Sequence, residues 1–346
     1  MSSTELMKTV RSIVVMRNGM SWLQTRLLIL GASRLGRELY KTLASQKLSY
    51  YEVVGFIESC EKRVGEAVGS ASVIGTYDQL LQLVEQYQVQ TIAVCVEDQR
   101  AVLPVQTLLN FKAAGLDVVD GHCLFEEESG RLSIDVLRPS ALIFSTGFRH
   151  RFLSKVLKRS LDVTIACLGL ILLFPLIAIV ALLIKLDSPG PIFYRQMRVG
   201  LRGNPYMMVK FRSMCKDAEK AGPRWAEAND SRVSRVGRWL RKFRIDEIPQ
   251  LLNVLKGEMS LVGPRPERPV FVQELRTLIP YYDIRHTVKP GITGWAQIKF
   301  RYASTKADSH TKLQYDLYYV KNLSLSLDVR ILTQTMRVVL LGEGAW

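Results

Sequence analysis

Apolar residues recur along this chain in two different rhythms. Between Arg26 and about Phe148, short apolar runs alternate with stretches of helical period. Leu27–Leu30 reads as a strand, followed by a glycine turn and a helix from Leu35 to about Ala44. Tyr51–Ile57 reads as a second strand, and Tyr77–Tyr87 as a second helix after the turn at Gly75. Thr91–Val96 is a third strand, Val102–Ala114 a third helix and Asp117–Val119 a fourth, short strand. Such alternation predicts a doubly wound parallel sheet, so residues 26–148 are expected to be an α/β, Rossmann-like domain. Residues 1–25 give little signal, either a helix or a flexible lead-in, and lack the apolar core and cleavage site of a signal peptide.

The second rhythm is one unbroken run. Val163 to Ile184 is 22 residues without a charge. As a helix it would be roughly 33 Å long, enough to cross a bilayer. Pro175 lies in its middle, where it removes a backbone hydrogen bond and clashes with the preceding turn. Both flanks are basic, with Lys155, Lys158 and Arg159 before the run and Lys185, Arg195, Arg198 and Arg202 after it. Positive flanks stay on the cytoplasmic side, so cations at both ends place both ends on one side. A hairpin broken at Pro175, entering and leaving the same leaflet, meets both conditions; the alternative is a spanning helix with a proline kink. Residues 149–187 are therefore read as a basic linker and re-entrant membrane hairpin.

Charge sharpens this division. Residues 1–150 carry 15 Lys/Arg against 16 Asp/Glu, whereas the remainder carries 32 against 16. The basic excess must face something anionic: headgroups, nucleic acid or phosphorylated substrates. The apolar run shifts that choice to the membrane, and no nucleic-acid partner is expected. Five scattered cysteines without a C-x-x-C pair suit neither a disulfide framework nor a zinc site.

Candidate chemistry lies mostly in residues 188–346. Asp187-Ser188-Pro189-Gly190-Pro191 makes a rigid exit from the apolar run. Lys210 and Arg212 flank Phe211 and read either as phosphate contacts or as a surface pair. Ser231–Arg244, with arginines at 232, 235, 238 and 241 and Val233, Val236, Leu240 and Phe243 between them, reads as a helix with one basic and one apolar face, suited to headgroups. Asp246 and Glu247 follow it. Nearby cations would keep both ionised, one able to attack phosphorus and the other to hold a divalent metal. As a bare dipeptide they would instead be an acidic first turn of a helix. Arg265 stands between Pro264 and Pro266, which leaves it little freedom to lose on clamping a phosphate. Lys289–Gln297 is a glycine-rich turn with Trp295, able to support a nucleotide base or merely to close a loop. In the N-terminal domain the turn Gly31-Ala32-Ser33-Arg34-Leu35-Gly36 keeps the outer glycines of a dinucleotide fingerprint but has Ser33 at the middle position, with Glu58 as the candidate ribose acid. That domain is read as a nucleotide-binding or a regulatory and assembly module.

Six strings in order resemble the bacterial sugar-transferase domain of polyprenyl-phosphate hexose-1-phosphate transferases, the monotopic phosphoglycosyl transferases: KRSLDV (158–163), SPGPIFYRQMRVG (188–200), KFRSM (210–214), IDEIPQLLNVLKGEMSLVGPRPE (245–267), VKPGITGWAQIKFRY (288–302) and KLQYDLYYVKN (312–322). The resemblance implies that Asp246 attacks the sugar-bearing phosphate of a UDP-sugar, releasing UMP, and that Glu247 helps hold Mg²⁺. Polyprenyl phosphate would then take the phosphosugar from the aspartate. Lys210, Arg212, Arg265, Pro264 and Pro266 would lie at the substrate phosphates, and the hairpin broken at Pro175 would be re-entrant. The resemblance further implies a bacterial inner-membrane enzyme of exopolysaccharide assembly, its catalytic domain on the cytoplasmic face. The family often has Ser before the breaking proline; here Phe174 stands there. Longer members carry four spanning helices before a Rossmann-like domain, so this chain is expected to be a short form or a truncated piece. Glucose or galactose are the leading sugars, and a homodimer through the N-terminal domain is expected.

Two other classes compete. An oxidoreductase or epimerase needs an intact fingerprint and a Tyr-x-x-x-Lys pair, yet Tyr77 is followed by Leu81. A basic scaffold accounts for the charge but not for Asp246-Glu247 or the Pro-Arg-Pro loop.

Overall fold

A computed structural model describes residues 24–46, 48–96, 103–136, 142, 147–148, 152–215, 230–300 and 305–341; the lead-in through residue 23 and the end of the fifth string, Arg301 and Tyr302, lie outside the described residues. The chain divides into two compact units, Met1–Phe144 and Ser145–Trp346. Phe148, taken from the sequence as the end of the first domain, donates its N–H to Lys321 O (2.9 Å) within the second unit.

In the first unit β1 (Thr25–Leu30), β2 (Tyr51–Glu58), β3 (Ala67–Val68), β4 (Ala71–Thr76), β5 (Thr91–Val94) and β6 (Asp117–Asp120) form one sheet. Its order is β3-β4-β2-β1-β5-β6. All pairings are parallel except β3 with β4, so the sheet is mixed. Side chains of the central strand alternate between two cores, as strand period demands. Leu28 and Leu30 join Leu80, Val84 and Phe111, while Leu27 and Ile29 join Leu39, Phe56 and Phe125. Helices α1 (Arg34–Ala44) and α4 (Gly121–Ser129) cover one face; α2 (Leu80–Gln86) and α3 (Val105–Ala113) cover the other. The sequence reading lacks β3, β4 and α4. β3 is two residues long, β4 has only Val73 and Ile74 as large apolar residues, and α4 carries Glu126, Glu127 and Glu128 in place of an apolar period. What starts α4 is its cap, Asp120, which accepts from His122 N (2.7 Å) and Cys123 N (3.3 Å).

The second unit opens with α5 (Phe152–Leu172) and α6 (Phe174–Asp187), bent by 62° at the break. Pro175 falls in the first turn of α6. There its missing N–H would be unpaired in any helix, so one helix ends and another starts. Neither helix alone is long and apolar enough to cross a membrane; the bent pair passes together on length and composition. Ile171, Leu172, Phe174 and Leu186 are each more than two-thirds exposed.

The basic flank before the apolar run is not all turned outward, as the flank-charge reading assumed. Lys158 Nζ bonds Asp328 Oδ2 (2.7 Å) and Val262 O (3.1 Å). Arg159 donates to Val254 O (2.6 Å) and Leu255 O (2.7 Å), the carbonyls ending α8 (Gln250–Lys256). Asp162 accepts from Ser260 Oγ (3.1 Å) and Leu261 N (3.0 Å). These three residues dock α5 on the unit; Lys155 remains exposed.

An antiparallel pair, β7 (Phe193–Val199) and β8 (Pro205–Phe211), follows, then α7 (Arg235–Lys242). The stretch read as one membrane-lying helix over Ser231–Arg244 is thus shorter. Ser234 caps it by accepting from Gly237 N (3.0 Å). Its apolar face is also covered by protein: Leu240 and Val236 pack with Val180, Ile184 and Phe211. Outward instead point Arg235, Arg238 and the edge-to-face pair Trp239–Phe243, with centroids 5.2 Å apart. The chain ends through a parallel pair, β9 (Ser260–Val262) and β10 (Gly291–Thr293), with α9 (Pro269–Leu278), α10 (Trp295–Lys299), α11 (Lys306–Lys321) and α12 (Leu325–Leu341) around it.

Candidate active site

The described part of the second unit concentrates charge around one turn. Ile245–Glu247 is a single 3₁₀ turn preceding α8, and Arg244 enters it in the left-handed conformation (φ 54°). That reversal at the end of α7 turns the next two side chains inward, and Asp246 and Glu247 are both buried. Lys210, near the end of β8, places Nζ 3.1 Å from Glu247 Oε1. Arg265 places a terminal nitrogen 2.8 Å from the same oxygen, and Arg244 lies 3.7 Å from Oε2. Arg241 bonds Ser213 Oγ (3.0 Å) and faces Asp246.

The two carboxylates differ, although the sequence reading had cations keep both ionised. Burial alone would push Glu247 up, but Arg265, Lys210 and Arg244 outweigh it and hold its carboxyl far below the usual range. Burial, with the adjacent Glu247 charge, raises Asp246 against the pull of Lys210, Arg241 and Arg265. Among the described residues Asp246 accepts no hydrogen bond, which leaves its oxygens open to a reacting group.

The Pro-Arg-Pro loop is fixed through its own carbonyls. Pro264 O accepts from Gly291 N (3.0 Å), Arg265 O from Arg285 (2.7 Å), Pro266 O from Arg198 (3.0 Å) and Glu267 O from Val199 N (3.0 Å). Arg285 is itself held by buried Asp316 on α11 (2.8 Å) and by Tyr282 OH (2.7 Å). Pro264 and Pro266 stiffen a segment bonded on every side, so Arg265 reaches Glu247 from a rigid base.

Of the residues singled out in the sequence, Asp246, Glu247, Lys210 and Arg265 come together with Pro264 and Pro266 behind them. Arg212 does not join them. It is buried against the end of α6, donating to Ser188 O (2.7 Å), Ser188 Oγ (3.0 Å), Pro189 O (3.2 Å) and Ile184 O (3.3 Å). A helix C-terminus with free carbonyls is a natural seat for a guanidinium, and it competes with phosphate. Trp295, a candidate support for a base, is buried and stacked on Tyr318 (5.8 Å). Pro175 stays in the hairpin break. Sequence reasoning missed Arg241 and Arg244 as site residues because they read as part of a surface basic face; their spacing of three to Glu247 and Arg244 was the available signal. Arg198 read only as a flank cation, Asp316 lies in a matching string without a role of its own, and Arg285 carried no signal.

The sequence profile of the bacterial sugar transferase family matches residues 153–342. The chain belongs to that family. It is 45% identical over 220 residues to a UDP-N-acetylgalactosamine-undecaprenyl-phosphate N-acetylgalactosaminephosphotransferase of Aeromonas hydrophila, covering 64% of this chain and 51% of that protein. It is 41% identical over 195 residues to the UDP-glucose:undecaprenyl-phosphate glucose-1-phosphate transferase of Escherichia coli (strain K12), covering 56% and 42%. With the undecaprenyl-phosphate glucose phosphotransferase of Komagataeibacter xylinus it shares 36% over 284 residues, covering 79% and 52%. The chain thus spans about half the length of these relatives.

Proposed function

We propose that this chain is a phosphoglycosyl transferase that moves a sugar-1-phosphate from a UDP-sugar to polyprenyl (undecaprenyl) phosphate. It does so through a covalent aspartyl-phosphosugar intermediate, as a first membrane step of exopolysaccharide assembly. The observation that carries the reading is the split carboxylate pair: one acid locked as an anion by three cations, its neighbour buried and free of hydrogen bonds. An Asp246 oxygen attacks the phosphorus bonded to the sugar. The bond from that phosphorus to the bridging oxygen breaks, and UMP leaves with its electron pair. An oxygen of polyprenyl phosphate then attacks the same phosphorus, and the Asp246–phosphorus bond breaks to regenerate the carboxylate. Lys210 and Arg265 offset charge on the transferred phosphoryl oxygens.

Adjacent carboxylates are a hard oxygen donor set of the size Mg²⁺ takes, and Glu247 Oε2 has only Arg244 at 3.7 Å, so these residues fit Mg²⁺ held by Glu247. Bound there, Mg²⁺ supplies compensation for the diphosphate charge. The hairpin α5–α6, with its exposed apolar side chains, enters and leaves the cytoplasmic leaflet of the bacterial inner membrane, and Trp239 and Phe243 lie at headgroup level.

The test uses the purified chain in nanodiscs with Mg²⁺, polyprenyl phosphate and a panel of UDP-sugars, with UMP release as readout. Release with one sugar, lost in Asp246→Asn by at least ~10³-fold, is expected. An Asp246→Asn variant as active as the parent would sink the assignment of the nucleophile. Relatives named for two different sugars leave the sugar to this panel.

A further inference from the structure

Arg265 has a second side, away from Glu247, where hydrogen-bonding capacity is left over. In the β7–β8 pair Arg198 lies directly opposite Tyr206, and Tyr194 opposite Lys210. Side chains two apart on a strand share a face, so Arg198 and Tyr206 stand on the face that carries Lys210. Arg198 donates to Pro266 O and to Gln196 Oε1 (2.6 Å), yet among the described residues its Nε is buried without a partner, as is the Tyr206 hydroxyl. Lys312 approaches the same place from α11. It sits one turn before Asp316, whose ion pair with Arg285 ties that face of the helix to the backbone of Arg265. Among the described residues Lys312 has no hydrogen bond or ion pair, and the charges acting on it are Glu267, Arg265, Arg285 and Asp316. Asp316 is taken by Arg285 and Glu267 reaches Arg198 only at 3.7 Å, so the cations are in excess.

Buried donors without acceptors are costly and rare, and two of them, beside a half-buried lysine with no ion pair among the described residues, point to an acceptor-rich ligand. We propose that Arg198, Tyr206 and Lys312 form a second anion subsite, on the Glu267 side of Arg265, that receives the phosphate of the departing nucleotide. This rests on the transfer reaction proposed above. Position decides between nucleotide and lipid phosphate. Lys210 is two residues from Arg212, which grips the hairpin exit, whereas Arg198 and Tyr206 are four residues farther along their strands, roughly 13 Å. The lipid phosphate belongs to the hairpin end and the water-soluble nucleotide to the far end. When the bridging phosphorus–oxygen bond breaks, negative charge grows on the nucleotide phosphate, and Lys312 donates a hydrogen bond to it.

The two half-reactions separate this proposal from a structural role. The full chain in nanodiscs, with UDP-sugar and labelled UMP but no polyprenyl phosphate, reports the first half as exchange of label into UDP-sugar. Addition of polyprenyl phosphate to the preformed phosphosugar enzyme reports the second. Lys312→Gln is expected to raise the UMP concentration for half-maximal exchange at least tenfold and to leave the second half within twofold; Lys312→Arg restores exchange to within threefold. Tyr206→Phe, which removes a hydroxyl with no partner and so keeps the fold, is expected to raise the same constant about threefold. Equal losses in both halves, a loss confined to the lipid half, or an unchanged exchange constant in both variants would overturn the subsite. No exchange in the unaltered chain would instead overturn the covalent reaction, and the subsite with it.

Discussion

Each unit of this molecule has a buried glutamate beside a turn whose sequence suggests phosphate, and the surroundings of the two differ in what they leave unsatisfied. In the first unit Glu58 Oε1 accepts from Ala32 N in the glycine turn (2.8 Å) and from Arg63 (2.6 Å). Ser33 Oγ donates to Cys95 O (2.6 Å), Arg37 Nε to Ala32 O (3.0 Å), and Arg37 and Arg63 both reach Glu66. These donors of the turn are satisfied by the chain itself. In the second unit Glu247 is equally buried and paired, but among the described residues Asp246, Lys312, Arg198 Nε and Tyr206 OH have no hydrogen-bond partner. A glycine turn and a cluster of cations are therefore not what marks a ligand site. Unfilled hydrogen-bonding capacity is, because only a ligand or water repairs it.

Replacing each glutamate separates the two surroundings most sharply. Glu247→Gln is expected to lower UMP release at least ~100-fold, whereas Glu58→Gln leaves it within about twofold; comparable losses would erase the distinction. A stability measurement gives the next largest effect. Lys158→Ala strands Asp328 as a buried, half-paired charge, which should cost roughly 3 kcal/mol of unfolding free energy measured by denaturant titration, while Arg63→Ala, whose partner keeps the Ala32 N–H, should cost about 1 kcal/mol. A dinucleotide titrated against the full chain should leave the melting of the first unit unshifted; a rise in Tm would show that the glycine turn opens. In the second unit, the rate should fall on acidification. On the proposed mechanism the nucleophile is the Asp246 anion, and burial beside Glu247 raises that carboxyl above its ordinary value of 3.8, so the acid limb of kcat/KM is expected above that value. Smallest is Arg244→Gly. It relieves a left-handed arginine by about 0.5–1 kcal/mol while removing one cation from Glu247, so Tm rises slightly and turnover falls a few-fold.

Much of this was legible in the chain. Strands β1, β2, β5 and β6 followed from apolar runs, and the clustering of Asp246 and Glu247 with Arg265 from the Asp-Glu dipeptide and the rigid Pro-Arg-Pro loop. Cations were the least legible. Lys158, Arg159 and Arg212 look the same in sequence whether they meet a lipid phosphate or a carbonyl, and here their partners are groups distant along the chain. The apolar face of α7 misled for the same reason: periodicity shows that Val236 and Leu240 need cover, not whether lipid or Phe211 supplies it. β4 and α4 were invisible because their stability comes from pairing with β2 and from the Asp120 cap rather than from composition.

Arg212 and Lys210 are two residues apart, one holding the last turn of the hairpin and the other touching Glu247. Two residues of extended chain span at most about 7 Å. On the membrane reading, that short tether works as a ruler: the reaction is held within a lipid headgroup's reach of the bilayer. The acceptor then never has to be lifted out of its leaflet. On the proposed function it would find the enzyme by lateral diffusion in two dimensions, with only the nucleotide partner arriving from bulk water.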